Sequence, residues 1–428
     1  MSDNKASFVR DELLPPAPPP VSEAGAIKWV RENLVSSPLN IIMTVLALWV
    51  VYSIVSGVAP WFINGVWTGS SVRDCYDILD GTSGACFAVL KERWPQLIYG
   101  FKYSAQEYWR PNLALVLLCV AIAPVLFSKV PKQILWFTMV YPFLAFWLIW
   151  GGTILTSVVA ISGFAVAFYA FRQLETRGVA VGLLGGLAAA IICWTLGGYV
   201  TSVGDGFLAL SSVPSRDMGG FMLNLILGTV CVSLSIPLGI ALALGRQSSL
   251  PIIKWICVLF IEFIRGVPLI TLLFVANVVL AYFFPPDTNI DLILRVIIMI
   301  TLFSAAYIAE VIRGGLAALP IGQYEAANSL GLDYAQAMRL IILPQALKVS
   351  IPGIVNVAVG LFKDTTLVSI ISMFDLVGMI RGPVLGSTAW NGVYWELFGF
   401  AALIFFVVCY GISQYSQWLE RQLETDHR

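Results

Sequence analysis

Long apolar runs separated by short polar connectors organise this chain. They fall at about residues 39–61, 112–128, 133–150, 153–171, 179–198, 220–244, 252–283, 290–316, 350–372 and 395–416. Each is near the ~20 residues that a helix needs to cross the hydrocarbon core of a bilayer, so the pattern predicts an all-α polytopic membrane protein with about ten transmembrane helices. It divides the chain into a polar, proline-rich tail (1–38), a first membrane region (39–217) with a long loop at 62–111, a second membrane region (218–420) interrupted by a polar island at 320–347, and a short tail (421–428). Gly151-Gly152, between two of the runs, reads either as a boundary between helices or as a break within one.

The polar island at 320–347 is the most informative stretch. Pro320 and Gly322 open it, and residues 324–330 then continue without a helix breaker. Gly331 interrupts them, because glycine tolerates the backbone angles that end one helix and start another. Asp333 is placed to cap a second short helix, which Pro344 closes or kinks. Two short helices with a bend are therefore expected at the membrane surface. Ala326 and Ala327 leave the backbone close to a partner, and Glu325 offers a charged contact beside Tyr324.

Composition narrows the class. The 428 residues are 58% hydrophobic and 12% charged, with a mean hydropathy of +0.85; soluble proteins carry about 25% charged residues. Net charge is zero, with no basic stripe suited to nucleic acid. The one histidine, His427, stands near the end of the sequence, so histidine-based catalysis and histidine metal sites are not expected. No Gly-x-x-x-x-Gly-Lys-Ser/Thr phosphate loop occurs, which excludes an ATPase of that kind. The first 20 residues are polar and end in a proline-rich run at 15–20, so they read as an extended or disordered tail rather than a cleavable signal.

Lysine and arginine in the connectors set the expected orientation. With Lys28 and Arg31 inside, the cytoplasmic connectors carry Lys129, Lys132, Arg172, Arg177, Arg246, Lys254, Arg339 and Lys348, and Arg421 follows the last run. Both termini and the island then lie in the cytoplasm. The 62–111 loop lies outside, despite cations such as Lys102 and Arg110, and the connector 285–289 has none. Trp61, Trp67, Trp94, Trp109, Trp390 and Trp395 sit near run ends, as an interfacial aromatic belt would. Gly178, Gly182 and Gly186 repeat every fourth residue, a spacing for close helix packing inside the chain or at a dimer face. Of seven cysteines, five lie in apolar runs. Cys75 and Cys86 share the outer loop, where an oxidising compartment permits a disulfide; two free thiols are the alternative.

The island's Glu-Ala-Ala, Gly331 and Ile342-Leu343-Pro344 resemble the EAA loop of permeases in ATP-binding-cassette (ABC) importers. Further stretches resemble the polar amino-acid branch of that family: Phe260-Ile261-Glu262-Phe263-Ile264-Arg265-Gly266-Val267-Pro268-Leu269, Ala309-Glu310-Val311-Ile312-Arg313-Gly314-Gly315, and Leu361-Phe362-Lys363-Asp364-Thr365-Thr366-Leu367-Val368. Together they span nearly half the chain, from 218 to 420, and the resemblance implies a five-helix permease core of the type I importer kind. The extra spans and long outer loop ahead of it, with the Lys-Asp-Thr-Thr-Leu-Val stretch, resemble the larger, M-type permease subunits of general L-amino-acid importers. The resemblance makes Tyr324, Glu325, Ala326, Ala327, Gly331 and Pro344 the docking segment for an ATP-hydrolysing partner. It also implies two ATP-binding subunits carrying ATP and Mg, a second permease in a heterodimer, a periplasmic amino-acid-binding protein, and a bacterial inner-membrane location. This chain would hold no cofactor or metal and catalyse no bond chemistry.

Charges inside apolar runs point to function on physical grounds alone. Lys363 and Asp364 fall near the middle of a run, where a charge costs at least about 2.5–3.5 kcal/mol. Two readings stand: they line an amino-acid pathway with Thr365, Thr366 and Ser369, or they form an interhelical pair that holds a dimer of permeases. The three hydroxyls can equally bond to their own backbone. Glu262 with Arg265, and Glu310 with Arg313, are three apart on one helix face; they are expected to pair with each other as gating or structural ion pairs more than to bind substrate, the alternative. An ion-coupled secondary transporter is the rival reading, although no inverted repeat with paired broken helices is visible.

Overall fold

The computed structural model describes residues 25–424, apart from 128, 204, 205, 207, 280, 281 and 283–290. The proline run at 15–20, the connector 285–289 and His427 lie outside the described residues. The chain forms two compact units, one of residues up to Thr68 with 74–87, the other of 69–73 with 88–424.

In the first unit, α1 (Gly25–Asn33) precedes α2 (Pro38–Ile63). Ser37 caps α2 by accepting from the Asn40 N–H, and Pro38 occupies its first turn, where no N–H is needed. Apolar on every side, α2 buries none of its residues, as a helix facing hydrocarbon would. Beyond it, the Val66 N–H donates to the Ala85 carbonyl at 2.7 Å and the Ala85 N–H to Trp61 at 2.9 Å. Phe87 sits among Trp61, Phe62 and Trp67, with ring centroids 5.9, 5.2 and 4.8 Å away. Cys75, in α3 (Val72–Leu79), is joined by a disulfide to Cys86, the Cα atoms 5.7 Å apart.

The stretch expected as an outer loop is thus largely folded. In the second unit it continues as α4 (Ala88–Glu92) and α5 (Trp94–Tyr99) before α6 (Trp109–Leu126). Arg110, expected as a loop cation, is fully buried at the start of α6. Its guanidinium donates to the carbonyls of Leu148 at 2.6 Å and Ser211 at 2.9 Å and to Glu107 at 3.1 Å. This fixes α6 against α7 (Leu135–Trp150). Gly151 and Gly152, both at positive φ (77° and 82°), separate α7 from α8 (Ile154–Leu174), so they form a helix boundary. Helices α8 and α9 (Val179–Val203) pack closely: a Cβ on Gly186 would lie 2.9 Å from the Ala167 carbonyl oxygen. Gly182 and Gly186 therefore serve packing within the chain, whereas Gly178, at φ +133°, forms the turn before α9 and meets nothing within 4 Å.

The remaining helices are α10 (Gly220–Arg246), α11 (Pro251–Gly266), α12 (Leu269–Phe274), α13 (Leu292–Ala317), α14 (Ile321–Ser329), α15 (Tyr334–Ala337), α16 (Leu343–Asp364), α17 (Leu376–Met379) and α18 (Tyr394–Glu424). Their core joins α10, α13 and α16 through Leu223, Leu227, Ile300 and Leu361. Among the described residues nine segments are long and apolar enough to cross a membrane, and α11 with α12 is a tenth candidate bent by 103°. The sequence pattern predicted one continuous span there. Pro268 brings no N–H and holds Val267 extended (φ −106°, ψ 132°), which ends α11 at Gly266. Trp390 also departs from expectation: it is buried, whereas Trp67, Trp94, Trp109 and Trp395 are exposed and Trp61 is half-buried.

Candidate coupling segment and charged sites

Three residues after α13, Pro320 opens α14, which carries Tyr324, Glu325, Ala326 and Ala327. Glu325 and Ala326 face outward, and Ala327 is fully buried. Only one of the two alanines is therefore open to a partner; Ala327 lets α14 lie against its own chain. Tyr324 is half-buried, and burial raises its phenol above the usual value, with Tyr334 adding a smaller push. Gly331 (φ +71°) ends α14 in a Schellman motif: its N–H donates to the Asn328 carbonyl and the Leu332 N–H to Ala327. Two residues later Asp333 forms a capping box with Gln336, whose N–H it accepts at 2.7 Å while the Asp333 N–H donates to the Gln336 side chain at 3.2 Å.

The second helix does not stop at Pro344. α15 passes through a wide π-type turn, Met338–Ile342, into α16, and residues Tyr334–Ile371 form one apolar span. Pro344 sits in the first turn of α16, and the widened turn before it absorbs the missing N–H. Gln345 donates to Gln323 at 3.0 Å and ties α16 back to α14. Around the bend Ile321, Leu330, Tyr334 and Leu340 are exposed, an apolar rim around Glu325 and Ala326.

Toward the coupling-segment end of the same helices lies a five-residue ion cluster. Glu310 of α13 accepts from Arg313 at 2.7 Å and from Arg246, the last residue of α10, at 3.2 Å. Glu262 pairs with Arg246 at 2.9 Å, and Arg265 lies 3.8 Å from Glu310. The expected Glu310–Arg313 pair forms, but Glu262 and Arg265 do not pair with each other. α10 and α13 both pack against α11, so each charge on that face finds an opposite charge on a neighbouring helix first. Arg246 was not singled out in the sequence because its partners lie 16 and 64 residues away.

Lys363 and Asp364 stand at the end of α16, within the Tyr334–Ile371 span, where a 3₁₀ turn, Thr365–Ile371, follows immediately. Among the described residues neither makes an ion pair; Lys363 is exposed and Asp364 half-buried. The Thr366 hydroxyl donates to the Lys363 carbonyl and that of Ser369 to Thr366, so the local backbone takes both. Thr365 is fully buried, which removes it from any cavity wall. It donates to the Phe362 carbonyl and accepts from Asn224 of α10 at 2.9 Å. Asn224 also donates to Asp375 at 3.2 Å and accepts from the Leu376 N–H at 3.1 Å. Asp375 caps α17 by accepting from Gly378 and Val377. Burial pushes the Asp375 carboxyl up to about 6, against the smaller lowering effect of these hydrogen bonds.

Residues 235–424 match the family described as "Binding-protein-dependent transport system inner membrane component". The whole chain is 51% identical to the glutamate/glutamine/aspartate/asparagine transport system permease protein BztC of Rhodobacter capsulatus, over 100% of both. It is 38% identical to the inner membrane amino-acid ABC transporter permease protein YhdY of Escherichia coli, over 96% of each. A crystallised amino acid ABC transporter with histidines shares 33% identity over 47% of this chain and 92% of its own, with a TM-score of 0.43. The chain belongs to this permease family.

As an amino-acid ABC permease, it is a multi-pass membrane subunit of an ATP-driven importer, and these relatives give no support to an ion-coupled carrier. Its most prominent buried polar junction, Asn224–Thr365–Asp375, was missed in the sequence. The only available signals were an asparagine inside an apolar run and an aspartate just after one, 151 residues apart.

Proposed function

We propose that this permease forms half of a pathway for acidic amino acids and their amides, the cargo named for its relative from Rhodobacter capsulatus. Two partner ATPase subunits carry ATP and Mg. A second, different permease completes the pathway, and a periplasmic binding protein delivers substrate. Both termini and the coupling segment face the cytoplasm. Residues 218–420 act as the core, and 39–217 form an accessory membrane region.

One observation carries this reading. The bent pair α14–α15, fixed by a left-handed Gly331 and a capping box on Asp333, holds Glu325 and Ala326 outward within the rim of Ile321, Leu330 and Tyr334. Exposed apolar side chains, an aromatic among them, with a charge beside them suit a protein partner. From this bend α13 leads directly to the ion cluster, and the second helix continues into α16. Movement of the ATPase would therefore reach three core helices through Glu310, Arg246, Glu262 and Arg313. At the far end of α16, Lys363 and Asp364 would meet the carboxylate and ammonium of the passing zwitterion. The ATPase pair biases the permeases between two openings by contacting the coupling segment differently in each state.

Affinity purification from native membranes tests the reading, with wild type beside Glu325→Lys/Gly331→Leu. An ATPase and a second permease should accompany wild type and be lost from the variant. A lone chain in both samples overturns it.

A further inference from the structure

Arg265 differs from the other arginines of the ion cluster. Arg246 and Arg313 each donate short hydrogen bonds to Glu262 or Glu310. Arg265 donates none to any described residue, and its approach to Glu310 is 3.8 Å, too long for a hydrogen bond. Its Nε–H is buried without a partner. The guanidinium lies over the Tyr307 ring, 5.6 Å from the centroid. Glu310 already accepts from two other guanidinium groups, and the cluster holds three arginines against two glutamates. One positive charge is therefore left over, and it falls on the residue with free donors.

Its position adds a second, independent observation. Arg265 occupies the last turn of α11, against the break at Gly266, Val267 and Pro268 where the span bends by 103°. This break is not buried in the chain: Gly266 and Pro268 are exposed, and a Cβ added to Gly266 would meet nothing within 4 Å. Arg265 itself remains one-third exposed.

We propose that Arg265 is a binding residue for a carboxylate of the transported amino acid, at the open break of the α11–α12 span. This rests on the reading of the chain as half of an amino-acid pathway. A guanidinium presents a planar fork that matches a carboxylate in two parallel hydrogen bonds. The Tyr307 ring holds the fork in place from beneath. Glu262, half exposed three residues earlier and bonded only to Arg246, leaves a carboxylate oxygen within the same region for the ligand's ammonium.

The assembled complex of this chain with its ATPase and second permease, in lipid nanodiscs, is treated with phenylglyoxal, which modifies free guanidinium groups. Modification is read residue by residue by mass spectrometry, with and without L-glutamate or L-glutamine, and the exposed Arg172 is the internal control. Protection of Arg265 by both amino acids assigns it to the α-carboxylate, and protection by glutamate alone to the side-chain carboxylate. Either result supports the site. Unchanged modification at Arg265 with both overturns it, whatever the complex does in transport. In parallel, Arg265→Gln should raise the KM for uptake about tenfold, with part recovered in Arg265→Lys, which keeps the charge but loses the fork. An Arg265→Gln complex with the wild-type KM would also overturn the site. Failure of the wild-type complex to import either amino acid would count against the proposed cargo, and the protection result would still stand by itself.

Discussion

The bend of the coupling segment rests on two residues whose partners lie close by in the chain. Gly331 and Asp333 announce the bend because a left-handed angle needs glycine and a capping box needs partners only three residues apart. Asp375 gives no such sign, since Asn224 lies 151 residues away. Its burial nevertheless has a measurable consequence. The folded carboxyl titrates near 6 against an ordinary 3.8, so the folded state holds its proton more tightly than the unfolded chain. Asp375 therefore stabilises the fold fully below pH 3.8, and that contribution is lost as pH rises through 6. The difference corresponds to about 3 kcal/mol at the usual conversion of pKa to free energy. Thermal unfolding of detergent-solubilised wild type and Asp375→Asn across pH 4 to 7 should show wild type losing stability relative to the variant as pH rises. A constant difference between the two would refute the assignment.

Helices were legible by length and apolarity, but their partners and ends were not. The spacing of Glu262 and Arg265 suggested a pair, whereas packing of α11 on α10 and α13 gives each a different partner. Pro344 looked like a stop and became the first turn of α16, because a π-type turn before it absorbs the lost hydrogen bond. The number of partners decides what each glutamate contributes. Glu310 meets three arginines from three helices and is about one-fifth exposed, whereas Glu262 meets one and is half exposed. Solvent screens the second pair to at most about 1 kcal/mol. Removing Glu310 leaves Arg265 and Arg313 without a carboxylate beside Arg246, which keeps Glu262; at their one-quarter to two-fifths exposure this is a loss on the order of 1–2 kcal/mol after allowing for solvent. Glu310→Gln should thus lower the thermal midpoint clearly more than Glu262→Gln does. Equal shifts would mean that the cluster does not hold the three helices together.

At the scale of the whole molecule, the bent α11–α12 pair decides where the ends of the chain lie. Counting α2, α6, α7, α8, α9, α10 and α13 with the bent pair gives an even number of crossings before the coupling segment; counting the pair as a re-entrant loop makes the number odd. Among the described residues α16 and α18 are the spans that follow, so the C-terminal end is expected on the coupling segment's side in either case. The N-terminal end is expected to share it if the bent pair crosses, as the bond between Arg246 at the end of α10 and Glu310 near the end of α13 requires. Fusions with a reporter fluorescent only in the cytoplasm, and with a phosphatase active only outside, separate these outcomes. If the pair crosses, the fluorescent reporter works at both ends and the phosphatase at neither. An active phosphatase ahead of α1, with fluorescence kept after α18, would make α11–α12 a re-entrant loop. The lysine and arginine bias around the first span would then point the wrong way.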